Sequence, residues 1–539
     1  MENDLNNKGE NENTENMYSY RDNTENIKES GAIRRSMGDV NPNYQPNRNY
    51  NKKTNKTNSH QLEISEKSSE LSHSNNNINY YWIPNLILAC LEGIIILALA
   101  LLFEREFELN ENDKDHSNCT LYENGINLHN NYKDEINFNY GKLRDLNIMA
   151  FVGYGLLHSI LQQNSWTSFS MNILILALSV QIAMFFNFVW RMAFREEWEE
   201  EKMDFYFINK AIFISCVVSV TYGSVLGRLS IIQHFIMAIF EIVLATMNFQ
   251  LCEEKLETVD TGGALYVHLF GALFALSISV VLFCSSKEKN KIQRFEHLSR
   301  SSYFSNITSF LGLLILFVFF PSFNSVLIWR KQAIVNRGRI NTYLSLFGSV
   351  IGSLVTSGII NGGKVVLEQI LYGTLSGGII ISGCCSVCFD HWAALILGTL
   401  SAPICVVLLA KVKPFFIGWG LRDTCNVLIT HGIFGLLGGF ITPMFISGLK
   451  DDNIKKYQLF YDTDRNKSRQ AGIQVGGLFI TLGISFVGGI ATGFLMKVST
   501  CYGLNWIFTD AELFRDFRED DFNNRFQIDD DKGSQPSYY

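Results

Sequence analysis

The sequence predicts an all-α, polytopic membrane protein with one large membrane domain. Three observations carry that prediction. Hydrophobic residues make up 47% of the 539 positions and charged residues only 18%, with 41 Phe, 41 Gly and just 8 Pro. Mean hydropathy is +0.09 even though the first 80 residues are strongly polar, so the remainder is far more apolar than a soluble domain tolerates. Apolar stretches of span length then follow one another from about residue 82 to 496. The net charge of −7 excludes a basic nucleic-acid binder, and the apolar content excludes a mainly disordered chain.

Residues 1–80 open the chain with "MENDLNNKGENENTENM" and "NKKTNKTNSH" and contain no apolar stretch. Such a composition buries too little surface to fold, so the segment reads as a disordered, Asn-rich cytosolic arm. It is no signal peptide, and the first span then acts as an uncleaved anchor. Residues 81–497 form the membrane domain, and residues 498–539 a polar cytosolic tail.

Candidate spans fall near 82–103, 146–163, 167–190, 205–226, 231–251, 260–284, 303–328, 340–360, 366–388, 391–409, 423–447 and 471–496. That count of about twelve puts both termini on one side. The ninth, "QILYGTLSGGIIISGCCSVCF", reads as broken by glycine pairs, which are tolerated where helices pack closely. The basic loop "SSKEKNKIQRFEHLSR" shares the side of the termini and favours cytosolic termini, although Lys and Arg in loops 329–339 and 448–470 vote the other way. Asn118-Cys119-Thr120 is a possible glycosylation sequon in a long polar loop on the opposite, external side. The acidic loop 191–204 also falls outside; it is a solvated face or an attractor of cations. Cys384, Cys385 and Cys388 cluster in an apolar segment and read as small buried thiols rather than a zinc site.

His234, His268 and His431 lie well inside apolar spans, where a histidine is costly unless paired or lining a cavity. His158 and His391 sit nearer span ends. His268 and His431 share a frame: Asp260-Thr261 precedes the first and Asp423-Thr424 the second, with eight residues from each Asp to its His. Eight helical residues rise about 12 Å, which would carry each imidazole to mid-membrane, with the Asp capping the helix start. The sixth and eleventh spans enter from opposite faces, as in an inverted repeat with a shared site at its interface. Two facing imidazoles suit a small neutral polar molecule or a proton, and suit a hydrated metal ion poorly.

These segments resemble the ammonium transporter and Rhesus glycoprotein superfamily, more closely its Rhesus branch. The resemblance rests on "AFVGYGLLHSILQ", "YGSVLGRLSIIQ", "VDTGGALYVHLFGALFA", "PSFNSV", "INTYLSLFGSV", "TLSGGI" and "DTCNVLITHGIFGLLGG", spread over about residues 80–497. It implies an inverted five-helix repeat, a homotrimer with a pore in each subunit, and conduction of ammonia or ammonium, with methylamine as analogue. It implies that His268 and His431 are the twin-histidine pair, Asp260 and Asp423 the supporting carboxylates, and Phe213 and Phe323 the outer hydrophobic gate. The asparagine-rich arm and aromatic-rich composition resemble those of a protist parasite of the malaria type, and the family resemblance implies the plasma membrane. Two departures stand out. Tyr372-Gly373-Thr374 occupies the place of the family's Asn-Ala-Thr, and Glu241 sits mid-span without an assigned role.

No cofactor, metal or nucleic-acid partner is called for; the expected partners are the solute, lipid and other copies of the chain. Other readings are a proton-coupled carrier of another small amine or weak acid, and a non-conducting membrane scaffold. An enzyme is disfavoured, because no nucleophile, base and orienting group fall together.

Overall fold

The computed structural model describes residues 82–102, 140–196, 203–283, 300–328, 332–418, 421, 423–457, 465–499, 510 and 514. The arm 1–80, the sequon at Asn118 and most of the tail 498–539 lie outside the described residues.

Within them the chain is helical. In order come α1 (Trp82–Leu102), α2 (140–158), α3 (Ser165–Arg195), α4 (Phe205–Val225), α5 (Ile231–Leu256), α6 (Ala264–Phe283) and α7 (Tyr303–Asn324). Then follow α8 (Gln332–Ile360), α9 (Leu367–Ser382), α10 (His391–Gly418), α11 (Leu428–Ser447), the short α12 (Asp451–Tyr457) and α13 (Lys467–Ser499). Among the described residues nine helices are long and apolar enough to cross a membrane: α3 to α8, α10, α11 and α13. The apolar part of α1, Leu86–Leu102, and the 16-residue α9 are shorter. The protein is an integral, multi-pass membrane protein.

Several starts are written in the sequence. Asp204 accepts from the Phe207 amide at 2.7 Å and caps α4. Ser230 with Gln233, and Ser302 with Ser305, form reciprocal capping boxes on α5 and α7. These side chains satisfy amides that have no partner inside the helix.

The buried centre is built on α4 and α6. From Ala211 to Val225 every residue of α4 is buried, and α6 is buried over most of its length. Apolar side chains such as Ile351, Val355 and Ile359 of α8, Leu400 of α10 and Met444 of α11 face outward, as a lipid-embedded surface requires.

The ninth span differs from the sequence expectation: α9 is one unbroken helix from Leu367 to Ser382. Its glycines serve packing instead. A Cβ on Gly377 would stand 2.5 Å from the Ser349 side chain of α8, and one on Gly378 would stand 2.9 Å from the Phe320 ring. Small residues let helices approach where lipid supplies no hydrophobic drive for association. Cys384, Cys385 and Cys388, in the turns after α9, are buried free thiols.

Candidate functional site

α6 and α11 begin with matching devices. Asp260 does not lie in the helix. It precedes a turn through Gly262 and Gly263, and helical structure starts only at Ala264. The expected eight-residue helical rise from Asp to His is therefore corrected: His268 sits in the first, wide π-helical turn, Ala264–Leu269. The carboxylate reaches forward over the turn. It accepts from the amides of Ala264 at 2.8 Å, Leu265 at 2.8 Å and Tyr266 at 3.0 Å. Three amides that a helix start leaves open are satisfied by one buried side chain. Gly263 is required twice over, because its φ is +74° and a Cβ there would stand 2.8 Å from the Phe213 ring.

On α11 the Asp423 carboxylate accepts from the Leu428 amide at 2.6 Å, and His431 sits in the π-helical turn Leu428–Ile433. Each Asp-Thr segment docks on the end of another helix. Gly262 donates its amide to Ser382 O of α9 at 3.0 Å, and Thr261 Oγ1 meets Cys385 Sγ at 3.2 Å. In the other segment Thr424 and Cys425 donate their amides to Ser224 O and Gly223 O of α4, both at 3.1 Å.

α6 and α11 then meet. A Cβ on Gly435 would stand 2.9 Å from both Ala264 O and Leu269 N, so this position must be glycine for the backbones to approach. That approach brings His268 Nδ1 and His431 Nδ1 to 3.0 Å, with both rings buried. One proton bridges the two nitrogens, which makes one ring a donor and the other an acceptor. His268 Nε2 has no partner in the protein. Whichever tautomer holds, a buried polar atom is left facing away from the pair.

On one side of the pair stand the phenylalanines. The Phe213 and Phe323 rings stack with centroids 4.9 Å apart and planes at 29°, both fully buried. Phe323 lies 6.0 Å from the His268 ring, and Phe320 lies 6.2 Å from it. Just past the end of α7, Lys142 of α2 donates to Ile328 O at 2.8 Å. Burial, and then the neighbouring charge of Arg339, push that ammonium down to about 8. On the other side of the pair Tyr154 faces His431 at 6.3 Å. The structure thus brings Phe213, Phe323, His268 and His431 together in successive contacts, with Asp260 and Asp423 bonding the amides at the starts of the two helices that carry the imidazoles. Asn118 lies outside the described residues.

The model of the Ammonium Transporter Family matches residues 120–503. The chain belongs to the ammonium transporter family. Its relatives in that family include the ammonium transporter Rh type C of Oryctolagus cuniculus, 29% identical over 430 residues, covering 78% of this chain and 88% of the relative. The human Rh type C transporter is 27% identical over 440 residues, covering 78% and 87%. The Rh type B transporter of Takifugu rubripes is 29% identical over 421 residues, covering 76% and 86%. This ammonium transporter family member is thus related to the Rh branch. Its fold resembles that of Rh50 from Nitrosomonas europaea, with a TM-score of 0.62 at 23% identity, covering 74% of this chain and 98% of that one. It also resembles Mep2 of Saccharomyces cerevisiae, with a TM-score of 0.54 at 15% identity, covering 70% and 88%.

Sequence reading did not find several partners in this family member. Tyr154 carried no signal beyond its aromatic type. Glu241 is fully buried and bonds Thr221 Oγ1, which also reaches Gly271 O of α6 at 2.8 Å; Glu241 Oε2 has no partner. Asp510 caps α3 from far along the chain, accepting from the amides of Trp166 at 3.2 Å and Thr167 at 2.7 Å and from Thr167 Oγ1 at 2.7 Å. Among the described residues no group of three or more His, Cys, Asp or Glu is placed to hold a metal ion.

Proposed function

We propose that the protein is a channel-like conductor of ammonia and ammonium, with methylamine as an analogue, through a pore in each subunit of a homotrimer. The observation that carries the proposal is the buried His268–His431 contact directly behind the stacked Phe213–Phe323 pair. In this reading twelve spans make two inverted five-helix halves plus two peripheral helices. The mirrored docking supports it: the Asp260 segment sits on the end of α9 and the Asp423 segment on the end of α4. The phenylalanine pair faces the outside and the termini the cytosol, with the protein in the plasma membrane and Asn118 glycosylated. Residues 1–80 are a cytosolic arm, and 498–539 a cytosolic tail on the same side.

The stacked rings form a dry plug that a hydrated cation passes only by giving up its water. Ammonium leaves a proton on the outer side, and ammonia slips past Phe213 and Phe323. The unpartnered Nε2 of His268 then offers a hydrogen bond inside the membrane. One neutral hydrogen bond is worth about 1 kcal/mol net, which offsets part of the desolvation of a molecule with three N–H groups. The pair presents no carboxylate, so a metal cation gains nothing there that replaces its hydration shell.

The test is an inward ammonium gradient across vesicles reconstituted with the full chain, with interior pH recorded beside membrane current. A rapid ammonia-driven alkalinisation above that of empty vesicles supports the reading. Rates equal to those of empty vesicles overturn it.

A further inference from the structure

Two oxygens claim the hydroxyl of Thr221 on α4. Its Oγ1 is within hydrogen-bond reach of Glu241 Oε1 on α5 and stands 2.8 Å from Gly271 O on α6. All three residues are buried. A hydroxyl carries one proton, and a peptide carbonyl only accepts. If Thr221 donates to Gly271 O, its second contact is a hydrogen bond only when Glu241 brings a proton of its own. The opposite assignment, Thr221 donating to a carboxylate, leaves two acceptor oxygens facing each other at 2.8 Å. It also buries a full charge without compensation. Glu241 is 0% exposed, its Oε2 has no partner, and among the described residues no Lys, Arg or His pairs with it. A neutral acid in that position costs far less than an ion.

The bond to Gly271 O seats α4 on α6 close to the histidine pair. Phe213, Val217 and Thr221 follow one another on α4 at one-turn spacing. All three positions meet α6 or the turn that starts it. A Cβ on Gly263 would stand 2.8 Å from the Phe213 ring, and one on Gly271 would stand 2.9 Å from Val217 O. Thr221 then bonds Gly271 O itself. His268 lies in the chain between these two glycines, three residues before Gly271. The Phe213 contact holds one end of that stretch and the Thr221 hydrogen bond holds the other.

We infer that Glu241 is a membrane-buried proton-binding site that holds its proton at neutral pH, and that the neutral acid, donating to Thr221, is a positioning residue for His268. The proton assignment stands without the conduction reading above; the effect of positioning on flux rests on it. Glu241 donates from Oε1 to Thr221 Oγ1, and Thr221 donates to Gly271 O. No proton leaves this chain of three. Loss of the donor at Glu241 turns the Thr221 proton away from Gly271 O or leaves the hydroxyl half-bonded, and the seat beside His268 loosens.

The test uses the full chain in vesicles. Carbon NMR of protein labelled at the glutamate side-chain carboxyl reads the proton directly, with the Glu241 signal identified by its loss in Glu241→Gln. At neutral pH that signal should lie at the position of a protonated acid; a signal at the carboxylate position overturns the inference. Nitrogen NMR of the histidine pair, identified by losses in His268→Ala and His431→Ala, reads positioning. Glu241→Leu should shift the pair's signals and lower ammonia flux about fivefold, the size of one neutral hydrogen bond in a rate. Glu241→Gln, whose amide still donates to Thr221, should restore the signals and most of the flux. Pair signals in Glu241→Leu equal to wild type overturn the positioning role, and the same loss in Glu241→Gln as in Glu241→Leu overturns the donor assignment. If Glu241→Leu melts early, Thr221→Val, which removes the hydroxyl and keeps the acid, takes its place with the same expected shift and loss. If wild-type vesicles carry no flux, the conduction reading fails, and the carbon and nitrogen signals still decide this one.

Discussion

His268 Nδ1 and His431 Nδ1 lie 3.0 Å apart, although 163 residues separate them in the chain. Neither histidine makes that contact by local structure. It exists because two Asp-Thr segments each start a helix with a wide turn, and because Gly435 lets the second helix lie against the backbone of the first.

The helix start beneath His268 depends on Asp260. Its carboxylate accepts from three consecutive amides, and an Asn in its place keeps one acceptor oxygen and loses the charge. Asp260→Asn should cost about 2 kcal/mol locally and lower ammonia flux through misplacement of His268. Flux and melting temperature, measured in the same preparation, check this. Wild-type values for both would remove Asp260 from the supporting set.

Glu241 of α5 bonds the Thr221 hydroxyl that joins α4 to α6. Thr221, which it bonds, lies eight residues after Phe213 on α4, and Thr221 also reaches Gly271 O, three residues after His268 on α6. The contact calls for a hydrogen-bonding group of this size rather than for an ion pair. Glu241→Gln should therefore leave the melting temperature near wild type. Glu241→Ala should lose about 2–3 kcal/mol through the cavity and the unpaired hydroxyl. Equal melting for all three proteins would show that the bracket carries no stability.

Asp510 supplies a cap that α3 lacks locally, since the Asn164 side chain makes no capping bond. Asp510→Ala should weaken the first turn of α3 by about 1 kcal/mol. Amide exchange at Trp166 and Thr167 should accelerate about fivefold, while exchange in mid-helix stays fixed. Unchanged exchange at these two amides would mean that the contact does not cap.

The stacked pair Phe213 and Phe323 should restrict passage more than it supports the fold. Replacing Phe323 by Ala opens the neck, and the same change at Phe213 removes the other half of the stack. Because burial of both rings makes truncation costly, about 3–5 kcal/mol each, the Leu variants run alongside. Water and methylamine permeability in vesicles should rise in the Ala variants and less in the Leu variants. If ammonia, methylamine and water all pass at wild-type rates, the rings are packing and not a gate.

The sequence made much of this legible. The span pattern is a direct reading of apolar length, and the repeated Asp-Thr frame pointed to His268 and His431 because histidine is rare in such helices. What stayed hidden depended on three-dimensional contact. The glycines of α9 read as a break, yet Gly377 and Gly378 are small because Ser349 and Phe320 press on them. Asp260 read as the cap of a helix running eight residues to His268; the carboxylate does bond helix-start amides, but a left-handed Gly263 delays the helix to Ala264, so that it reaches three of them. Asp510 could not be paired with α3 from the sequence, because a single carboxylate in a polar tail has no pattern. Glu241 was visible as an anomaly, but its partner Thr221 is one of many hydroxyls in the spans.

The Nδ1 atoms of His268 and His431 share one proton, so removing either ring leaves the other without its donor or acceptor. His268→Ala and His431→Ala should each lower ammonia flux or its selectivity over metal cations, by about five- to tenfold for a buried hydrogen bond lost from the path. The double variant should lose little more than either single, because the second removal takes away a residue already deprived of its partner. Ammonia flux and cation selectivity are measured in vesicles at matched protein incorporation for both singles and the double. Losses that add independently would break the pair as a unit. Wild-type flux and selectivity in all three variants would move conduction away from the pair, even with the 3.0 Å contact intact in the parent protein.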